Sequence, residues 1–406
     1  MIAFKALGSG GARLFVCLAF AAATAQPALA QHWSRSWAVA PQGALETSTT
    51  RPAPELAGKT LRQVVRLSSG GKAIRLNLSN EMSDAPLRIA AVRVALADKE
   101  GRIVPGSDRP VPFGGQAEVT IPDHAPMLSD PIAMKVTPLT RLAVSMYFAA
   151  PVVQPTVHSY SAATGWLAAG DQAASPVLTG VTHFDQRLIL KGVDVESPQA
   201  QPTVVAFGDS ITDGVRATTD ADTRWPDQLA ARLVKAGKAV SVANMGISGN
   251  RLLKDGTGPN ALARFDRDVL SVPGATHVII LEGVNDIGAA ARDKDNAPPT
   301  VGTIVAAYRQ MIARGHQRGL KVILATILPY KGAGYWSAEG EVTRQGVNKW
   351  IKESGEADGV ADFDAAIADK NDPARMAAAY DCGDHLHPND AGFTVMSDAV
   401  PLRALR

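Results

Sequence analysis

From Thr203 onward the chain alternates short β-rich runs with segments of helical spacing, and few architectures accommodate that rhythm. Thr203–Phe207, Val240–Ala243, His277–Leu281 and Lys321–Leu328 are apolar runs of strand length, with Gly359–Phe363 as a short fifth. Between them Leu229, Leu233 and Val234 recur at helical spacing within 224–236, and 303–318 continues the pattern. Alternation of this kind means a parallel sheet covered by helices on both faces. In such a sheet ligands gather beyond the carboxyl ends of the strands, so the residues following each run are the ones to inspect.

Residues 31–197 have a different texture. Ile74, Leu76 and Leu78 alternate with Arg75, Asn77 and Ser79, giving a strand with one wet face. Leu87, Ile89, Val92 and Val94 suggest a further strand or pair, and 118–121, 142–148 and 188–195 extend the series. Short strands with frequent Gly and Pro between them predict an antiparallel β-sandwich, jelly-roll-like, over 31–197. The run 197–202, Ser-Pro-Gln-Ala-Gln-Pro, reads as the linker to an α/β domain over 203–406.

The first thirty residues stand apart. Lys5 and Arg13 precede an uncharged apolar run, 14–24, and Ala28-Leu29-Ala30 has the small-x-small form of a cleavage site. We expect a secretory signal peptide over 1–30 and an exported protein, periplasmic or extracellular. The apolar run is too short for a bilayer span. Losing Lys5 and Arg13 with the leader takes the formal charge of +2 to zero, so charge offers no argument for nucleic acid or an anionic membrane as partner. Of two cysteines only Cys382 would remain, leaving no internal disulfide.

Four segments sit where the parallel sheet would gather its ligands. Phe207-Gly208-Asp209-Ser210 closes the first run, and Asn244 to Asn250 (Asn-Met-Gly-Ile-Ser-Gly-Asn) follows the second. Gly283-Val284-Asn285-Asp286 follows the third, and Asp384-His385-Leu386-His387-Pro388 precedes the closing helix. A serine, oxyanion donors and an Asp/His pair on one sheet edge are what acyl transfer requires.

These segments resemble the four signature blocks of the SGNH (GDSL) hydrolase family, over roughly Thr203 to Ala399. The resemblance implies a flavodoxin-like three-layer α/β/α domain and hydrolysis of a carboxylic ester through an acyl-enzyme. By that resemblance Ser210 is the nucleophile, His387 the base in an Asp-x-x-His pattern, and Asp384 the residue that orients it. The oxyanion donors are the backbone N–H groups of Ser210 and Gly249 and the side chain of Asn285. Gly249 is chosen over Gly246, read as a turn glycine, by counting five residues from Asn244. His385 is read as a loop residue near the mouth. No cofactor is implied. The run from Cys382 to His387 offers zinc-type ligands, but a metal there would leave the serine and oxyanion blocks without a purpose.

Other residues carry lesser expectations. Asp209 supports its loop through backbone N–H groups, and Glu282 and Asp286 serve as loop hydrogen bonders. Tyr330, Tyr335 and Trp336 are expected as exposed loop aromatics lining the acyl or alcohol pocket. Trp33, Trp37, Tyr147, Tyr160 and Trp166 are the candidates for a sugar-binding face, and the irregular stretch 158–166 for reaching across to the site. The substrate expected is a small-molecule or polysaccharide ester, a short acyl (acetyl) ester on carbohydrate first. A lipid or aryl ester, as for a lysophospholipase or thioesterase, is the alternative.

Overall fold

The computed structural model describes residues 31–44, 52–292 and 299–405, with Ala3 alone before them. The expected leader lies, Ala3 apart, outside the described residues. From His32 onward the described residues form one compact unit.

The C-terminal half is built on five parallel strands: Thr203–Gly208, Ser241–Gly246, Ala275–Leu281, Lys321–Ala325 and Gly359–Ala361. Numbered along the chain, their order in the sheet is 2-1-3-4-5, the flavodoxin-like order with its switch point beside the first strand. The strands are apolar along their length because both faces are covered. Val204, Val205, Ala206, Phe207, Val278, Ile279 and Ile280 are all fully buried. The helices are α1 (Ser210–Asp213), α2 (Trp225–Lys235), α3 (Ala261–Phe265), α4 (Val284–Arg292), α5 (Val301–Gln317), α6 (Ala338–Glu353), α7 (Phe363–Ile367) and α8 (Asp390–Ala399). Trp225 and Pro226 open α2, and the buried Trp225 ring meets Phe363 edge-on at 5.4 Å.

The N-terminal half forms antiparallel sheets. In one, Leu190–Ser197 lies between His32–Ala38 and Gly71–Ser79, and the latter also pairs with Pro126–Leu128 and Ile132–Val136. A six-stranded one runs Thr182–Phe184, Gly165–Ala169, Lys59–Arg66, Arg141–Phe148, Ala91–Leu96, Arg109–Pro110, beside two two-stranded pairs. Inward residues of both larger sheets, such as Ile74, Leu76, Val65, Val94 and Val144, share one apolar core. On the opposite face of the first sheet the buried Asp194 carboxylate takes Arg35 and Arg75.

The two halves meet along the edge strand Ser241–Gly246. Its Val242 N–H donates to Ser68 Oγ at 2.9 Å, and Ser241 Oγ lies 2.6 Å from Ser69 Oγ. Ala38, Ala40 and Ala162 from the N-terminal half enter the core of the parallel-sheet half. An edge strand that would otherwise present unpaired backbone is thereby covered.

Candidate active site

The first parallel strand ends at Gly208, and the chain turns at once into α1. Asp209 is the N-cap of that short helix, and its carboxylate accepts the Ile211 N–H at 2.9 Å. Burial pushes the Asp209 carboxyl up, against the pull of the Ile211 N–H. Ser210 is therefore the first helical residue, its backbone N–H at the positive end of the turn. Neither the Ser210 N–H nor the Gly249 N–H has a hydrogen-bond partner among the described residues.

His387 Nε2 lies 2.9 Å from Ser210 Oγ, and His387 Nδ1 lies 2.8 Å from Asp384 Oδ2. A carboxylate only accepts, so Nδ1 carries the proton and Nε2 presents its lone pair to the serine hydroxyl. The other Asp384 oxygen accepts the Leu386 N–H at 3.0 Å and the His387 N–H at 2.8 Å. Burial alone would raise the Asp384 carboxyl. The side-chain and backbone hydrogen bonds from His387 outweigh it and hold the group well below the usual carboxylate range. Asp384 is thus an ionised, fixed acceptor able to stabilise an imidazolium at His387.

His385 is turned elsewhere. It sits at φ 64°, and its Nδ1 pairs with Asp381 at 2.6 Å. The two histidines of the run are thus held by different carboxylates. Asp381, Cys382 and Asp384 each bring one potential ligand atom within 4.8 Å of the others, but Asp384 is already committed to His387. Burial raises the Cys382 thiol, which leaves it a weak nucleophile.

The second block carries Gly249, the expected second donor. Gly249 has φ 77°, and a Cβ there would stand 2.8 Å from Thr257 Oγ1, so both the backbone conformation and the close neighbour demand glycine. Gly246 is a correction: it is the last residue of its strand rather than a turn residue. Its missing side chain lets α1 pass, because a Cβ would stand 2.3 Å from the Asp213 backbone nitrogen. In the third block, Asn285 Nδ2 donates to the Asn250 carbonyl at 2.9 Å, and its Oδ1 accepts from the Tyr335 hydroxyl at 3.3 Å. One of its two amide hydrogens is thereby spent on orientation and the other is left for an oxyanion.

A serine with a hydrogen-bonded base, an ionised residue behind the base, and amide donors on neighbouring strand ends together suit the attack of an oxygen nucleophile on a carbonyl. Residues 206–395 match the model of the GDSL-like Lipase/Acylhydrolase family. This segment is similar to GDSL-type hydrolases.

No curated protein matches the chain. Solved structures to which it is similar include a GDSL-like lipase from Bacteroides thetaiotaomicron, with 21% identity over 51% of this chain and 92% of that one, TM-score 0.38. An acetyl xylan esterase from Geobacillus stearothermophilus has 23% identity over 50% and 94%, TM-score 0.40. An aryl esterase from M. smegmatis has 19% identity over 50% and 100%, TM-score 0.40.

Several expectations about the surroundings of the GDSL site need correcting. Tyr330 and Tyr335 are buried and Trp336 is half-buried, so none of the three is an exposed loop aromatic. Tyr330 belongs to the core, where its position after an apolar strand is reason enough. Tyr335 bonds to Asn285, its ring in a space left by Gly288. Among the proposed sugar-binding aromatics, Trp37 and Trp166 are buried. Trp33 is half-buried with Arg75 over its ring at 4.5 Å. Tyr147 and Tyr160 are half-buried as well, so these five provide no exposed flat face.

Asp286 does accept loop N–H groups, those of Leu252 and Leu253 at 2.7 and 2.9 Å. Glu282 instead pairs with Arg264 at 3.2 Å, both side chains fully buried. Burial, with Asp209 adding to it, raises the Glu282 carboxyl well above its ordinary value.

Arg264 escaped the reading of the sequence. Its guanidinium donates to Gly208 O at 2.9 Å, Met245 O at 2.7 Å, Asn250 Oδ1 at 2.8 Å and Glu282 Oε1 at 3.2 Å. One planar fork thus ties the ends of the first three parallel strands, behind Ser210, Gly249 and Asn285. Its place in an unremarkable helical run, Ala261–Phe265, gave no local signal.

Proposed function

We propose that the protein is an exported serine esterase that cleaves short acyl esters, acetyl first, from carbohydrate through an acyl-enzyme at Ser210. The observation that carries the hydrolytic part is the hydrogen-bonded chain Ser210–His387–Asp384, faced by the free N–H groups of Ser210 and Gly249 and the amide of Asn285. His387 takes the serine proton as Ser210 Oγ attacks the carbonyl carbon, and Asp384 stabilises the imidazolium so formed. The carbonyl oxygen, now negative, receives the three N–H donors. Collapse expels the alcohol, protonated by His387. Water then repeats the sequence on the acyl-serine and releases the acid.

The short-chain reading draws support from what lies behind the serine. Arg264, bonded to Gly208 O, Asp268 and Glu282, places buried polar groups behind that strand end, and burying an alkyl chain among them gains little. The reading also divides the chain into a leader over 1–30, an accessory jelly-roll-like β-sandwich over 31–197 and the hydrolase domain over 203–406. Ser197 ends the last long antiparallel strand and Thr203 begins the parallel sheet, which supports that division. Export rests on the basic, apolar and small-x-small order of the first thirty residues. No helix among the described residues is long and apolar enough to cross a membrane.

The test is release of acid from acetylated xylan, pectin, chitin fragments and lysophospholipid, with Ser210→Ala as blank, beside initial rates on aryl acetate and aryl octanoate. Acetate release from one of the polymers is expected. A strong octanoate or lysophospholipid preference would replace the acetylesterase reading by that of a lipid esterase.

A further inference from the structure

The stretch 158–164 of the N-terminal half lies against the loop that follows the nucleophile. Tyr160 Oη accepts the Arg216 N–H at 3.2 Å. The Asp220 N–H donates to Ala162 O at 3.0 Å, and the Asp220 carboxylate takes Thr164 N–H at 2.8 Å and Thr164 Oγ1–H at 2.6 Å. The innermost contact is that of His158. Both His158 and Asp213 are 2% exposed by side chain, and His158 Nε2 lies 2.9 Å from Asp213 Oδ1. His158 Nδ1 lies 2.9 Å from the Ala40 carbonyl. The Asp213 carboxylate accepts, so His158 Nε2 donates to it, while Nδ1 faces the Ala40 carbonyl.

Asp213 is the last residue of α1, three positions after Ser210. Its second oxygen accepts the Ser248 N–H at 3.0 Å, and Ser248 immediately precedes Gly249. Gly249 lies at φ 77°, in a region where glycine has several accessible conformations and no side chain to anchor it. The direction of its N–H is therefore set by the neighbouring peptides, one of which is tied to Asp213. A carboxylate buried as deeply as Asp213 requires compensating donors, and His158 is the side chain that supplies one to it.

We propose that His158 is a positioning residue for ester hydrolysis: the N-terminal β half reaches into the hydrolase domain and, through Asp213, holds the Ser248–Gly249 peptide in the orientation the oxyanion needs. This rests on the hydrolase reading of Ser210. It gives the N-terminal half a part in catalysis that requires no contact with substrate.

The test uses the full-length chain carrying His158→Ala, His158→Gln, Asp213→Asn, or His158→Ala with Asp213→Asn. Folding is checked by circular dichroism, and active sites are counted with a serine-directed phosphonate. Kinetics on aryl acetate are compared with inhibition by an aryl boronic acid, whose tetrahedral adduct on Ser210 places an oxygen in the oxyanion hole. For His158→Ala we expect kcat per active site to fall roughly 10- to 100-fold with KM within about 3-fold. Boronate affinity should fall by a similar factor. His158→Gln, which keeps one N–H for Asp213, should recover part of the loss. The double variant should be little worse than the worse single one.

A folded His158→Ala or His158→Gln protein with wild-type kcat and boronate affinity overturns the proposal. So does a loss confined to melting temperature or to the number of active sites. If His158→Ala does not fold, His158→Gln and Asp213→Asn decide by the same criteria. A wild-type protein that hydrolyses no ester removes the hydrolase reading itself, and this role with it.

Discussion

His387 and Ser210 are 177 residues apart in the chain, yet His387 Nε2 lies 2.9 Å from Ser210 Oγ. The contact joins the turn after the first strand to the loop before the last helix, and Asp384 fixes the histidine from behind at 2.8 Å. Removing the nucleophile or the base should be equally severe, because neither acts without the other. We expect Ser210→Ala and His387→Ala each to lower kcat by at least about 10⁴-fold with folding intact. Asp384→Asn should cost less than either, since a carbonyl or water can partly replace the carboxylate. Steady-state rates on aryl acetate give the order directly.

Asn285 is held on both sides, by Asn250 O and by the Tyr335 hydroxyl. Its remaining amide hydrogen has work only when charge develops on the carbonyl oxygen. Asn285→Ala should therefore lower kcat by about 10²–10³-fold with little change in KM. A large rise in KM with unchanged kcat would instead make Asn285 a ground-state binding residue.

Gly249→Ala meets two obstacles, φ 77° and Thr257 Oγ1 at 2.8 Å from the new Cβ. The strained conformation costs about 1–2 kcal/mol, and relief of the clash moves the N–H. We expect a lower midpoint in urea unfolding together with a lower kcat.

The low folded-state pKa of Asp384 carries a sign. A carboxyl whose pKa is depressed on folding contributes stability above its unfolded-state value, and the contribution is lost as pH falls toward the folded one. The melting-temperature advantage of wild type over Asp384→Asn should therefore be larger near pH 6 than near pH 3. Its size is modest, because the side chain is 31% exposed.

Much of the domain was legible because its signals are local. The apolar runs at 203–207, 277–281 and 321–328 each overlap a parallel strand, and the four motif segments lie at strand ends or before α8. Spacing from Asp384 singled out His387, and that ring, not the one of His385, faces Ser210. What sequence could not carry is contact between distant segments. Arg264 gathers carbonyls from two strand ends, and His158 meets Asp213 from 55 residues away, with no periodicity to betray either. Burial of loop residues was equally opaque. Tyr330 and Tyr335 follow a strand in a Gly-rich loop that folds inward, and Gly246 owes its identity to the backbone of α1.

Everything proposed for this chain depends on Ser210 being the nucleophile of an ester hydrolase. Intact-mass measurement and peptide mapping after treatment with a serine-directed phosphonate, with aryl acetate hydrolysis followed in parallel, test it most directly. We expect one adduct per chain, on Ser210, accumulating in step with loss of activity and absent from Ser210→Ala. Hydrolysis that persists in the fully labelled protein, or in Ser210→Ala at the wild-type rate, would contradict it.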